Sequence, residues 1–458
     1  MLKKILLLIA LFTTGIYGSR AQNATADGYR GIWFTLGQFS TYGDKYSGGL
    51  GTYTSSHMPV AVYAPKVNKT FFVYGGTTGA TEKHLLIMLS FYDHKKKRVP
   101  CPVIVYDKAG VDDPHDNASL SIDEHGYIWV FISGRNTSRP GMIFRSRKPY
   151  DITAFDKTYE GDMTYPQPWR FDNEGFLHLF TRYTKGRELY WSTSMDGIKW
   201  SNAQKLAGMG GHYQISSKWK NKVVSAFNYH PGGNVDKRTN IYLVQTEDMG
   251  KKWTSITGKT INTPLSDKLN DALVKDYESE GKLVYLNDIN FDAAGNPVIL
   301  AVISNNFRPG PPGSLRDWVL IRWTGKNWVF SKVCSSTHNY DMGSLYIDGP
   351  DWRIIGPTMA GPQPMGTGGE MVMWQSADNG QTWNMTKQLT ASGSRNHSYA
   401  RRPSLMHPGF IAFWADGNAD SLSVSRLYFS DVKGTVYGLP YDMKGAYARP
   451  TVITAKLP

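Results

Sequence analysis

Residues 111–133 read VDDPHDNASLSIDEHGYIWVFIS. Two aspartates, a proline, a histidine, a third aspartate and an asparagine stand directly before an alternating apolar run, and a run of period two is a half-buried strand. The turn DEHG then leads into a second such run, YIWVFIS. The unit recurs, with DNEG from Asp172 entering FLHLFTR and DAAG from Asp292 entering NPVILAVIS. Helical periodicity is nearly absent, so the sequence reads as all-β.

The polar cluster before an apolar strand recurs as well. It is found in SSHMPVAVYA, DDPHDNASLSI, MTYPQPWRF, GGHYQISSKW, LNDINFDAAG, THNYDMGSLYI and HSYARRPSLM. With His57, His115, Tyr165, His212, Asp288, His338 and His397 as reference points, the steps are 58, 50, 47, 76, 50 and 59 residues. Repeats of that length mark a propeller or solenoid. In a propeller the inner strands lie beside a central channel and run the same way, so a polar cluster at each strand start forms a ring at one face. Seven clusters imply a single seven-bladed β-propeller over residues 22–458, with six or eight blades as the neighbouring counts. The long fourth step holds TPLSDKLNDALVKDYESEG, expected as a short helix or loop beside the ring.

A further marker is the hairpin motif Ser-x-Asp-x-Gly-x-x-Trp, the Asp-box. SADNGQTW from Ser376 fits it, TEDMGKKW from Thr246 fits with Thr for Ser, and SMDGIKW from Ser194 is one residue shorter. The acid caps turn amides, glycine takes a positive φ and tryptophan packs back on the sheet. The motif is structural and carries no chemistry.

The first 21 residues, MLKKILLLIALFTTGIYGSRA, have the lysines, short apolar run and small-x-small ending of a secretory signal peptide. The mature chain is therefore expected to be exported, periplasmic or secreted. No later run is long enough to insert in a membrane. Loss of Lys3, Lys4 and Arg20, with no acid, lowers the net charge from +13 to +10, a surplus suited to an anionic partner. Export and the lack of any nucleic-acid-binding motif argue against nucleic acid. Acidic polysaccharide fits better, because 14 Trp and 27 Tyr offer rings for sugar faces, although many of these belong to the core. Cys101 and Cys334 are too few for a disulfide scaffold or a Cys-based metal cluster, and sequence alone leaves their pairing open.

Glycosidases use two carboxylates about 5 to 9 Å apart. Asp112, Asp113, Asp116, Asp288, Asp341 and Glu370 are candidates by position, and none stands out. The ring is instead rich in His, Tyr and Arg. That set suits β-elimination on a 4-linked uronate. A cation neutralises the carboxylate, a neutral His or a Tyr removes the C5 proton, and an acid protonates the departing O4. No cofactor is required for this chemistry. Metal ligation finds no local His spacing, and any calcium in the central channel is expected to be structural.

From GYRGIWFTLGQ at Gly28 through GDKYSGGLGTY, GVDDPHDN, MTYPQPW and GGHYQ to NHSYARRP at Asn396, the chain resembles the BNR-repeat propellers. These include ulvan-lyase-like enzymes. The sequence is more similar to those that remove L-rhamnose from L-rhamnose-α-1,4-D-glucuronic acid, glycoside hydrolase family 145 and polysaccharide lyase family 42. The resemblance implies an acidic, rhamnose-capped oligo- or polysaccharide as partner, of the arabinogalactan or gum type.

By the same resemblance FYDH supplies His94, DDPHDN supplies His115, MTYPQP supplies Tyr165 and LFTRYTKG supplies Arg182. Arg182 would neutralise the uronate, Tyr165 would serve as acid or shared acid-base, and His94 or His115 would be the base. His84 competes with His94, while Arg187, His212, Tyr213, His230, Arg401 and Arg402 are candidates for holding the sugar acid. The resemblance also admits an α-L-rhamnosidase that hydrolyses the bond with one histidine on the opposite face. His57 is its nearest match, yet the ring places His57 with the other strand starts. Two further classes are a non-catalytic glycan-binding propeller and a sialidase, which needs three arginines and an early Phe/Tyr-Arg-Ile-Pro segment not provided by YRGIW at Tyr29.

Overall fold

The seven polar clusters lead into seven inner strands, Ala61–Ala64, Ala118–Ile122, Thr164–Phe171, Gln214–Trp219, Leu283–Phe291, Ser344–Asp348 and Asn396–Arg401. The computed structural model describes residues 22–79, 82–111, 113–311 and 315–454. The leader expected over residues 1–21 lies outside the described residues, as does Asp112. Each inner strand pairs antiparallel with the next strand in sequence and so on outward, giving seven blades. In blade 2, Ala118 lies opposite Ile132 and Ile122 opposite Ile128, so the turn at Asp123 closes a regular hairpin. Asp123 accepts the amides of His125 and Tyr127 at 3.1 and 2.9 Å, as an acid-x-x-Gly turn requires. Among the described residues the only helical pieces are three-residue 3-10 turns.

The period-two pattern buries side chains on both faces of each blade. Between blades 1 and 7, Phe72, Phe410, Phe413 and Phe429 form one wedge, with Phe72 stacked on Phe410 at 5.7 Å. Each such side chain contributes about 1.5–3 kcal/mol of burial. Blade 7 is built wholly from the C-terminal part of the chain, so the ring is closed by short cross-pairings. Gly31 bridges Gly76 of blade 1 and Ser425 of blade 7. A Cβ there would stand 3.0 Å from Ser425 Oγ and Leu427 Cδ2, so the approach is tight and a larger residue would push these side chains aside. Val99–Pro100 also pairs with Tyr447–Ala448.

The Asp-boxes form as read. Ser376 Oγ donates to Asp378 at 2.7 Å, Gly380 and Thr382 amides donate to Ser376 Oγ and Asp378 at 2.9 Å, and Trp383 Nε1 reaches the Gly380 carbonyl at 3.2 Å. Each box follows a third strand, which places it at the face opposite the strand-start ring. The insertion at 263–281 is a loop, one of the two forms expected, with one short strand. That strand, Leu273–Lys275, pairs with Thr239–Thr246, the third strand of blade 4, at Ile241 and Tyr242. Cys101 and Cys334 are both free thiols.

Three inner strands carry bulges, between Thr164 and Gln167, Leu286 and Asp288, and Ser398 and Arg401. Tyr165 and Tyr399 sit in two of them with φ of +54° and +61°. A bulge re-aims side chains, and a bulky residue at positive φ is held there by its surroundings.

Candidate active site

At the strand-start face a cavity of about 540 Å³ is lined by Asp113, His115, Arg135, Arg187, Tyr213 and Tyr53, with Lys45, Tyr46 and Asp236 on one wall. Starts of inner strands and the loops joining second to third strands converge here. A larger hollow of about 890 Å³ lies by the Asp-box turns at Ser194 and Met249, but its lining holds no histidine, arginine or tyrosine. The convergent titratable groups mark the first cavity as the functional candidate.

His115 is held by its own turn. Pro114–Asp116 is a 3-10 turn with proline at its start, whose fixed φ pre-sets the bend. Asp113 caps the turn, its Oδ1 accepting the His115 amide at 3.0 Å, and the same oxygen meets His115 Nδ1. A carboxylate oxygen only accepts, so this contact puts the proton on Nδ1 and leaves Nε2 as the acceptor, and the Arg135 guanidinium beside Nδ1 is held by its charge pairing with Asp113 and does not donate to the ring. Tyr53 Oη lies 2.5 Å from Nε2 and donates to it. Arg139 donates to Asp113 Oδ2 at 2.6 Å and sits 2.8 Å from Asp116, while Arg135 lies 3.3 Å from Asp113 and 2.8 Å from His115 Nδ1. Asp116 is fully buried and takes Lys108 at 2.9 Å.

These contacts set the charges. Burial works to raise Asp113, but the His115 contact and Arg135 outweigh it and hold the carboxyl well below its usual range. Burial lowers His115 and overcomes the opposing pull of Asp113, so the imidazole is neutral at neutral pH. Tyr53 and Tyr165 are pushed well above the usual phenol value, first by burial. Tyr213 moves the other way. Burial would raise it, but Arg187 and Arg238 outweigh burial and lower it. The Arg238 guanidinium lies 4.8 Å from the Tyr213 ring and that of Arg187 lies 5.7 Å away.

The sequence candidates separate. His115, Arg187 and Tyr213 line the cavity. Tyr165 lies just beneath it, 1% exposed, its ring 5.4 Å from His115 and 5.6 Å from Tyr213. His94 is not brought to His115. It follows the third strand of blade 1, Leu86–Asp93, at the opposite face, bonded to Thr70 at 2.8 Å and stacked 3.6 Å from the His407 ring. Burial and His407 lower it to about 4. His84 is in the cavity-face loop of blade 1 but pairs with Asp107 at 2.6 Å, leaving its neighbour Lys83 on the cavity wall. Arg182 points aside, donating to the Asp162 carbonyl at 3.0 Å and lying 5.4 Å from the Phe180 and Tyr190 rings.

The others support the ring. His57 is buried, bonded to Thr52 Oγ1 and to the His115 carbonyl, each at 3.0 Å, and burial lowers it to about 3. It is neither on the opposite face nor on the cavity lining. His212 bridges the Asn228 carbonyl and the Met209 amide, and His230 meets Asn228 Oδ1 at 3.1 Å. Arg401 donates to the Thr54 carbonyl at 3.0 Å, and Arg402 pairs with Asp288 at 3.2 Å.

Sequence reasoning gave no role to Tyr53, Arg135 or Arg139 and left Asp113 as one carboxylate among six. Tyr53 closes the GDKYSGGLGTY segment, and the two arginines sit four apart in a tight loop, the Arg135 amide bonding the Arg139 carbonyl at 2.6 Å. That spacing in a loop between two strands was a usable sign that both guanidiniums face one side.

A family model described as BNR repeat-containing family member matches residues 82–336. The chain belongs to that family. It is 22% identical over 279 residues to an ulvan lyase, PL25, of Pseudoalteromonas sp. (strain PLSV), covering 52% of this chain and 56% of that protein. It is 21% identical over 287 residues to an ulvan lyase of Alteromonas sp. (strain LOR), covering 54% and 57%. The matched stretch thus spans about half the length of these curated relatives. Among solved structures, a PL25 ulvan lyase bound to -[GlcA(1-4)Rha3S]- superposes with a TM-score of 0.69 at 15% identity, over 90% of this chain and 94% of that one. The polysaccharide lyase Uly1 follows at 0.61 and 12% identity, over 90% and 99%. At such identities the superpositions establish the propeller fold. The relatives found are ulvan lyases, not the glycoside hydrolase family 145 and polysaccharide lyase family 42 enzymes expected as the nearer resemblance.

Proposed function

We propose that the chain is an exported polysaccharide lyase acting on the rhamnose-α-1,4-glucuronate linkage at the end of an acidic glycan. Elimination releases L-rhamnose and leaves a 4,5-unsaturated uronate. The observation that carries this reading is one cavity holding a neutral His115 backed by Asp113, two guanidiniums from Arg135 and Arg187, and a tyrosine, Tyr213, of lowered pKa. The similarity to ulvan lyases supports the reaction class.

The roles follow from charge. Arg187, with Arg135 beside it, binds the uronate carboxylate and spreads the negative charge that develops as the C5 proton leaves. Neutral His115 is the ultimate acceptor of that proton. Tyr213, made more acidic by Arg187 and Arg238, protonates O4 as the C4–O4 bond breaks. The chain-end preference rests on the wall formed by Lys45 and Tyr46, which Asp236 pins at 2.6 and 2.8 Å. Neutralisation by arginine assigns no step to a metal.

The test is incubation with L-rhamnose-α-1,4-glucuronic acid, following ultraviolet absorbance of the unsaturated uronate and free rhamnose in parallel, with and without EDTA. Both signals rising together, unaffected by EDTA, is the expected result. Rhamnose without absorbance refutes elimination in favour of hydrolysis, and binding with neither signal indicates a non-catalytic glycan-binding propeller.

A further inference from the structure

Building on the lyase reading, we infer that Tyr53, delivered by the N-terminal segment ahead of blade 1, is the group that takes the C5 proton from substrate, and that His115 acts only through it. His115 has two ring nitrogens, and both are taken: Nδ1 by Asp113 and Nε2 by the Tyr53 hydroxyl at 2.5 Å. With both nitrogens engaged, a sugar C–H reaches neither without displacing Asp113 or Tyr53. Tyr53 lines the cavity with Arg187 and Tyr213.

The segment is built to hold this hydroxyl. Asn117, from the cluster that carries His115, donates to the Leu50 carbonyl at 2.6 Å and fixes the turn at Leu50 and Gly51, both at positive φ. The Tyr53 ring packs 5.0 Å from His115, 5.6 Å from Tyr46 and 6.0 Å from Tyr340. Tyr46 is itself bonded to Asp236 at 2.8 Å.

The proton balance closes over a turnover. The C5–H bond breaks, its proton passes to Tyr53 Oη, and the Tyr53 proton moves to His115 Nε2, giving an imidazolium against Asp113. The C5–H electron pair becomes the C4=C5 bond, C4–O4 breaks, and O4 takes the Tyr213 proton. After release, the proton on His115 returns through Tyr53, across the cavity that both tyrosines line, to the Tyr213 oxygen.

Tyr53→Phe removes the relay and keeps the ring packing. Its kcat is expected to fall by about 10²–10⁴-fold, the usual worth of a positioned acid-base group, with KM nearly unchanged. The second readout is the ¹⁵N spectrum of the His115 imidazole in the native protein, independent of catalysis. It is expected to show a protonated Nδ1 and a bare, hydrogen-bonded Nε2, and the Tyr53→Phe spectrum to show that bond lost. A Tyr53→Phe enzyme with near-native kcat, or a native His115 protonated on Nε2, overturns the relay while leaving the lyase reading intact. A native protein with the expected tautomer that eliminates no uronate refutes the lyase reading and the relay with it.

Discussion

Asp113→Asn isolates one charge. The carboxylate touches the His115 amide at 3.0 Å and its Nδ1 through one oxygen, and Arg139 and Arg135 at 2.6 and 3.3 Å through the other. An asparagine oxygen can still accept the Nδ1 proton, so the turn and the tautomer survive, and what is lost is the negative charge beside the imidazole. An opposite charge at such range shifts a pKa by about 1–3 units, each about 1.4 kcal/mol. The sign is fixed by the causes acting on His115. Burial lowers it, Asp113 raises it, and Arg135 and Arg187 lower it further. Without Asp113 the imidazole becomes a weaker base and the imidazolium of the transition state loses its counter-charge. The expected result is a plateau kcat lower by about 10–10³-fold. The acid limb of kcat/KM, which reports the protonation of the free base, should move to lower pH because the base must be neutral to act. Initial rates of unsaturated uronate formation against pH give both quantities. A plateau within twofold of native, or an acid limb moving to higher pH, would refute the assignment of Asp113 as the partner of His115.

Arg187→Ala is expected to reduce kcat/KM by about 10²–10³-fold through loss of transition-state charge stabilisation, with Arg187→Lys partly active, whereas Arg182→Ala, at a residue turned towards Asp162, stays within a fewfold of native; steady-state kinetics on the same disaccharide decides. Asp341 is fully buried and burial raises it to about 7, against amide donors from His338 and Gly368. Its proton is held more tightly folded than unfolded, so stability falls as pH rises from about 4 through about 7, and Asp341→Asn should flatten melting temperature against pH over that window. Gly380→Ala, at φ +79° with the new Cβ 2.4 Å from Leu320 Cδ2, should cost about 1–3 kcal/mol in denaturant unfolding and leave kcat unchanged, because the Asp-box lies on the far face.

Repetition made the propeller legible. A polar cluster, a period-two run and an acid-x-x-Gly turn recur often enough that local pattern fixes strand, direction and count together, and seven blades with a polar ring at one face follow. The insertion at 263–281 was read only as helix or loop because no repeat constrains it; its short strand Leu273–Lys275 is recruited by the open edge of Thr239–Thr246. The site was half legible for the same reason. His115 and Tyr213 stand at ring positions, and Arg187 close by opens a third strand, so pattern reaches them. His94 illustrates the limit. It follows a Tyr-Asp pair as the resemblance requires, but strand direction alone sends it to the other face, since a third strand ends where an inner strand ends.

The two groups the sequence most obscured, Tyr53 and Arg139, reach the turn that carries His115 by different routes, Tyr53 at His115 itself and Arg139 at Asp113 and Asp116. Arg139 is local, 24 residues from His115, folded back by a hairpin loop. Tyr53 is 62 residues away in a segment with no blade of its own. Nothing in its neighbourhood has a period, because the segment is held by ends and single bonds, Asn117 to Leu50 and Asp236 to Tyr46. A propeller ring offers identical strand starts, and seven equivalent positions cannot by themselves single out one proton acceptor. The asymmetry needed for chemistry comes from the irregular segment laid across the ring, which sets one hydroxyl against one histidine. The Tyr53→Phe protein should therefore keep its seven β blades by circular dichroism while losing most of its elimination, and retention of activity by that variant would place the proton transfer on the ring itself.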